Sequence, residues 1–347
     1  MSAALPSTLS LTRPDDWHLH LRDGAALAAV LPASARRFAR AIVMPNLRPP
    51  VTSAAQAAAY RERILAARPE GSDFTPLMTL YLTDRLPPAE IGRARAAGVV
   101  AVKYYPAGAT TNSDAGVTDL RRTYATLEAM QRGGMPLLLH GEVTDPEVDV
   151  FDREAVFVDR VLAPLRRDFP ALKVVLEHVT TREGAHYVRD AEGPIAATVT
   201  PQHLLYNRNA LFAGGLQPHL FCLPVLKAEA HRRALVEAVT SGSARFFLGT
   251  DSAPHAAPLK EQAGGHAGCY SAPAALELYA EAFEAAGALD RLEAFAALNG
   301  PDFYGLPRNA GRVSLRREAW TVPETLPFGD TVIKPLGGGR SVAWRLA

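Results

Sequence analysis

Cysteine and charge imbalance are both scarce in this 347-residue chain. Cys222 and Cys269 are its only cysteines. They form no CxxC pair and give no disulfide framework for a secreted fold, so a reducing compartment is expected. Lys and Arg total 37 against 36 Asp and Glu, a formal charge of +1. Without a basic excess, neither nucleic acid nor an acidic membrane is expected as the main partner. No apolar run approaches the ~18 residues of a membrane span. The opening MSAALPSTLSLTRPDDW has no basic segment followed by an apolar core, so no signal peptide is expected and the location reads as cytoplasmic. Heptads, low-complexity tracts and short repeats are missing too. What remains, with 48% hydrophobic and 21% charged residues, is the balance of an ordinary globular protein. At this length an α/β barrel forms one unit, so a single domain over 1–347 is expected.

Apolar runs of strand length, bounded by Gly, Pro or Asp, recur at 16–21, 40–46, 74–82, 99–105, 135–142, 172–179, 195–204 and 244–251. Helical stretches such as 53–67, 86–98 and 120–133 lie between them. Apolar strands alternating with amphipathic helices imply an α/β fold with a parallel sheet covered on both faces. Eight such units predict a closed (β/α)8 TIM barrel rather than an open sheet. The polar residues of these strands gather at their C-terminal ends: His18 and His20, Asn46, Lys103, His140, His178, His203 and Asp251. In a TIM barrel those ends meet at one mouth, where active sites are built.

Four of those histidines with Asp251 make a ligand set for zinc or a similar divalent ion. The spacing His18-Leu19-His20 points both imidazoles to one side of a strand. Alone, an HxH pair is weak evidence, and a single His140 or His178 reads better as a core histidine with a satisfied hydrogen bond. Together at strand ends they point to metal. Lys103 interrupts VVAVKYY, where an ammonium beside two cations would be repelled. One alternative is a lysine whose stem packs while its head reaches solvent. The other is a neutral amine carboxylated by CO2, whose carbamate bridges two ions ~3.5–4 Å apart. Two dications less carbamate, Asp251 and hydroxide then leave one positive charge, which suits an anionic substrate. Such a pair suits hydrolysis of an amide or ester, with Asp251 as ligand and proton shuttle.

The segments WHLHLRDG (17–24), VMPNLRPPVT (43–52), KYYPAGATTNS (103–113), LLLHGEV (137–143), EHVTT (177–181), TPQHLLYNRN (200–209), CLPVLK (222–227), LGTDSAPH (248–255) and AGCYSAP (267–273) closely resemble the dihydroorotase family. The form resembled is the shorter, monofunctional bacterial type of the amidohydrolase superfamily. The resemblance runs from about Arg13 to Leu306, leaving 307–347 as a C-terminal extension, either a small sheet closing the barrel or a peripheral tail. It implies reversible cyclisation of N-carbamoyl-L-aspartate to (S)-dihydroorotate in pyrimidine biosynthesis, by a homodimer with two zinc ions per subunit. His18 and His20 with Asp251 would hold one ion and His140 and His178 the other, bridged by Lys103 as N6-carboxylysine. Arg22, Asn46 and His255 would meet the substrate carboxylate; the alternative for Arg22 is a structural ion pair with Asp23. Backbone groups of Leu223 and Ala267 would read the ring amides. Gly108, Thr110 and Thr111 resemble a closing loop, whose alternative is a plain surface loop.

His203 reads as a support to the site or as structural. His186, His219, His231 and His266 read as surface or packing residues, Cys222 as an apolar filler. Two rival readings remain: a hydrolase of dihydropyrimidines, hydantoins or allantoin, whose substrates lack the ring carboxylate, and a catalytically dead barrel serving as a scaffold.

Overall fold

The computed structural model describes residues 6–347. After an N-terminal strand β1 (Thr8–Thr12) come β2 (Asp16–Leu19), β3 (Arg40–Val43), β4 (Thr75–Tyr81), β5 (Ala101–Tyr104), β6 (Leu137–His140), β7 (Val174–Glu177), β8 (Ile195–Val199) and β9 (Phe246–Leu248). Strands β2 to β9 form one eight-stranded sheet in sequential order, each parallel to the next. The ends of that sheet meet where Asp251 N donates to His18 O at 2.9 Å and His20 N donates to Ser252 O at 3.1 Å. The expected TIM barrel is the observed fold, with helices such as Ala54–Ala66, Pro88–Ala96 and Tyr124–Gly133 between strands.

Side-chain alternation explains how the strands carry both core and site. One line of alternate residues faces outward, and Val43, Leu80, Val102, Leu139, Leu176 and Leu248 pack there in the large core cluster. The other line faces the barrel axis, where Trp17, Ile42, Ala101, Leu138, Val175, Ala196 and Phe247 form a separate buried cluster. Two residues further along the inward line stand Lys103, His140, Glu177 and Thr198, because a strand returns to the same face every second residue. The register sets Tyr81 opposite Lys103 and His140 opposite Glu177. An apolar plug thus closes the floor, and polar groups accumulate above it.

The last forty residues return to the start of the chain. Strand β10 (Arg312–Arg316) pairs antiparallel with β1 on one side and with Arg345–Leu346 on the other. Trp344 is fully buried, so the extension builds a small sheet and contributes core rather than trailing as a tail. At the barrel floor Trp17 stacks on Tyr304 at 4.6 Å. A Cβ on Gly300 would fall 2.0 Å from Trp17 Nε1. Gly300→Ala should therefore cost about 1–3 kcal/mol or more by overpacking, read as a thermal midpoint lowered by at least a few degrees. An unchanged midpoint would contradict this packing.

Candidate active site

The strand ends and the loops after them enclose one small cavity, lined by His18, His20, Arg22, Asn46, Tyr105, Thr110, Thr111, His140, His178, Leu223, Asp251 and Ala267. Lys103 lies fully buried beneath it. All six residues expected as metal ligands are therefore gathered at one mouth. Arg22, His178 and Asp251 have positive φ angles of 59°, 40° and 43°. Non-glycine residues rarely adopt that region, and holding them there costs about 1–3 kcal/mol each. The barrel maintains this strain where side chains must turn into the cavity.

The hydrogen bonds around the imidazoles define what the site can bind. His18 Nδ1 lies 2.8 Å from Glu177 Oε2, and His20 Nδ1 lies 2.9 Å from Asn46 Oδ1. Thr198 Oγ1 accepts from His178 N and donates to the same Glu177 oxygen at 2.5 Å, so that oxygen is an acceptor. Both Nδ1 atoms therefore carry protons, and both Nε2 atoms present lone pairs. Those two Nε2 atoms are 3.3 Å apart, and Asp251 Oδ1 lies 3.4 and 3.2 Å from them. Three electron-pair donors converging in a buried place repel one another unless an electrophile sits among them. This trio meets the geometric requirement for a metal ion.

A second pair stands alongside. His140 Nε2 is 2.7 Å from Glu142 Oε2, which leaves Nδ1 as its free donor. The His178 ring lies 4.9 Å from that of His140 and 5.0 Å from that of His18. His178 Nδ1 and Lys103 Nζ are both buried without a hydrogen-bond partner among the described residues. Such orphaned atoms are rare and expensive, and both belong to residues expected to ligate metal. Burial, reinforced by the charge of Lys103, drives His18 and His178 well below the ordinary histidine range. They are neutral, the ligating form. Burial also pushes the Lys103 amine down to about 8, with Glu177 and Asp251 opposing.

Arg22 turns away from its sequence neighbour. Asp23 caps the helix Gly24–Arg37 and pairs with Arg63 at 2.8 Å, which removes the Arg22–Asp23 ion pair from consideration. Arg22 instead donates from Nε to Pro254 O at 3.1 Å, and its Nη2 lies 2.9 Å from His255 Nε2. The same His255 nitrogen is 3.1 Å from Ala267 O. Burial and Arg22 drive His255 down to about 2, so a single Nε2 serves either as acceptor from Arg22 or as donor to Ala267. Thr111 Oγ1 also donates to Ala267 O at 3.3 Å. Asn112 Nδ2 donates to Asn46 O, and Asn46 Nδ2 to Thr111 O. The 108–113 loop is folded over the cavity and tied to it.

Three residues outside the expected set matter. Glu177, Glu142 and Thr198 orient the histidines, and the inward alternation of Lys103 and His140 is the signal that would have found Glu177. His203 differs from expectation: it lies in the helix Pro201–Leu205, which Thr200 caps, beyond the end of β8. There it bonds Thr200 Oγ1 at 2.7 Å and Pro224 O at 3.1 Å, a structural role. His266, expected as a surface or packing residue, packs its ring 5.1 Å from that of His255. Both cysteines are buried.

Convergent imidazoles, a carboxylate and a lysine at the mouth of a parallel eight-stranded barrel define a metal-type hydrolase site, and residues 15–340 match the amidohydrolase family. A dihydroorotase of Leptothrix cholodnii is 72% identical over 342 residues, covering 99% of both chains. Among solved structures, the dihydroorotase of Campylobacter jejuni superposes with a TM-score of 0.91 at 35% identity, covering 100% of this chain and 99% of that one. The dihydroorotase of Saccharomyces cerevisiae in complex with 5-fluoroorotic acid gives 0.90 at 33% identity, with 99% of each chain covered. The chain therefore belongs to the dihydroorotases of the amidohydrolase family, hydrolases that act on a cyclic amide.

Proposed function

We propose that this chain interconverts N-carbamoyl-L-aspartate and (S)-dihydroorotate plus water, a zinc-dependent step of pyrimidine biosynthesis, as a cytoplasmic homodimer. The observation that carries the reading is an adjacency: the convergent donors of His18, His20 and Asp251 share one cavity with the Arg22 guanidinium. The fluoroorotic acid bound to the yeast relative, a carboxylated pyrimidine ring, supports a substrate of that shape.

In this reading His18, His20 and Asp251 would hold one ion, His140 and His178 would hold the other, and Lys103 would join the ligands as a carbamate. The donor set fits, because each of His18, His20 and His140 has one nitrogen engaged by an oxygen acceptor and the other free. When bound, two divalent ions acidify water and polarise the amide carbonyl. The chain supplies the rest. Asp251, held as a carboxylate, accepts a proton and returns it to the leaving ring nitrogen. Arg22 offers a planar fork to the ring carboxylate, and neutral His255 donates from Nε2 beside it. Asn46 engages His20 and the closing loop, and its amide borders the same pocket. Leu223 and Ala267 present backbone groups to the ring amides, while Thr110 and Thr111 close the mouth and exclude water.

Substituting Glu177 by Gln should weaken zinc affinity about 10–100-fold, since Glu177 fixes the His18 tautomer. Zinc titration of the metal-depleted variant measures this, and an unaltered affinity would contradict the assigned role. The substrate is tested by offering dihydroorotate, dihydrouracil and hydantoin in turn. Only the carboxylated ring should open; comparable turnover of the other two would overturn the assignment.

A further inference from the structure

Lys260 lies in the short helix Ala257–Glu261, and it is 4% exposed. Its ammonium has three N–H donors, and each finds a backbone carbonyl: Phe221 O at 3.0 Å, His266 O at 2.9 Å and Gly268 O at 2.6 Å. No carboxylate pairs with it among the described residues. A buried ammonium is expensive to keep without a counter-ion. What it holds is therefore informative. The three carbonyls belong to two separate segments, 221–223 and 266–268, which bring Leu223 and Ala267 to the cavity wall.

The planarity of the peptide unit makes the consequence specific. His266 O and the Ala267 N–H belong to one trans peptide, so fixing the carbonyl on Lys260 fixes the opposite direction of the N–H. The Ala267 carbonyl shares its peptide with the Gly268 N–H, which donates to Phe221 O at 3.0 Å. Phe221 O is the same oxygen that Lys260 holds. Both polar groups of Ala267 are thus set by hydrogen bonds that end on one ammonium. Only glycine fits at position 268, with φ at 148° and Ala253 O only 2.6 Å from where a Cβ would stand.

We propose that Lys260 is a positioning residue, which aims the Ala267 backbone groups at the bound ring without touching it. The role rests on the proposed function, in which those groups read the ring amides.

The test compares wild type with Lys260→Met, which keeps the stem and loses the charge, and Lys260→Gln, which retains two donors. For each zinc-loaded protein, KM and kcat for dihydroorotate, zinc content and amide hydrogen exchange over 263–270 are measured. Loss of one well-aimed hydrogen bond corresponds to about tenfold in affinity. Lys260→Met should raise KM about tenfold or more, change kcat much less, retain its zinc and exchange faster at Gly268, with Lys260→Gln intermediate. Faster exchange with KM unchanged would reduce Lys260 to a structural role and overturn the proposal. Unchanged exchange would overturn it as well. If Lys260→Met does not fold, the Lys260→Gln values decide by the same criteria. Absence of turnover in wild type would overturn the proposed function instead, and exchange at Gly268 would still decide whether the clamp exists.

Discussion

Lys103→Ala is expected to lose at least one of the two bound ions and to reduce dihydroorotate turnover roughly a thousandfold or more. Two-metal catalysis supplies several kcal/mol of charge stabilisation, and about 4 kcal/mol corresponds to that factor. The amine lies fully buried with no hydrogen-bond partner, amid His18, His140 and His178, so an unmodified ammonium there is both desolvated and close to any ion. Depression of its pKa to about 8, chiefly by burial, leaves about a tenth of it neutral at pH 7, far more than an ordinary lysine. Only the neutral amine captures CO2. The resulting carbamate exchanges a repelled cation for a bridging anion. Lys103→Met, which preserves the aliphatic stem, should lose metal equally, separating the chemical role from packing. Metal analysis of both variants together with a steady-state assay decides the matter. Either variant retaining two ions and full activity would exclude the carbamate.

Arg22→Met should lower kcat/KM for dihydroorotate by about 30-fold to several thousandfold while leaving metal content intact. Removing one member of a buried, hydrogen-bonded charge pair costs about 2–5 kcal/mol, and each 1.4 kcal/mol is a factor of ten. In this protein the partner would be the ring carboxylate. Arg22 contacts Pro254 and His255, and among the described residues no carboxylate pairs with its fork. Zinc content and steady-state constants of the variant provide the check. Wild-type kcat/KM would remove Arg22 from substrate recognition, and concurrent metal loss would show that it supports the ligands instead.

How far the sequence anticipates these results depends on the kind of signal. The barrel is legible because eight apolar runs alternate with helical stretches, and the metal-type residues because they end those runs. Orientation is less legible. Glu177 precedes His178 and reads as an ordinary polar residue until Val175 is known to face inward, which requires the register with Leu138 and Ala196. The left-handed backbone at Arg22, His178 and Asp251 has no glycine to announce it. His203 was misplaced although Thr200-Pro201 is a cap followed by proline at the first helical position, a recognisable helix start; the apolar run through Val199 outweighed it. The strands from Arg312 onward are too short for alternation to register, and the pairing of Arg312–Arg316 with Thr8–Thr12 spans nearly the whole chain. Lys260 sits on a five-residue helix, and its meaning resides in three carbonyls that only folding brings together.

The most direct measurement is the rate of dihydroorotate loss, followed by its ultraviolet absorbance, for the protein as purified, after chelator treatment, and after zinc is restored. Turnover that disappears with the chelator and returns with zinc, approaching full recovery near two ions per chain, is the predicted result. Turnover indifferent to the chelator, or no turnover in a protein carrying both ions, would contradict the account.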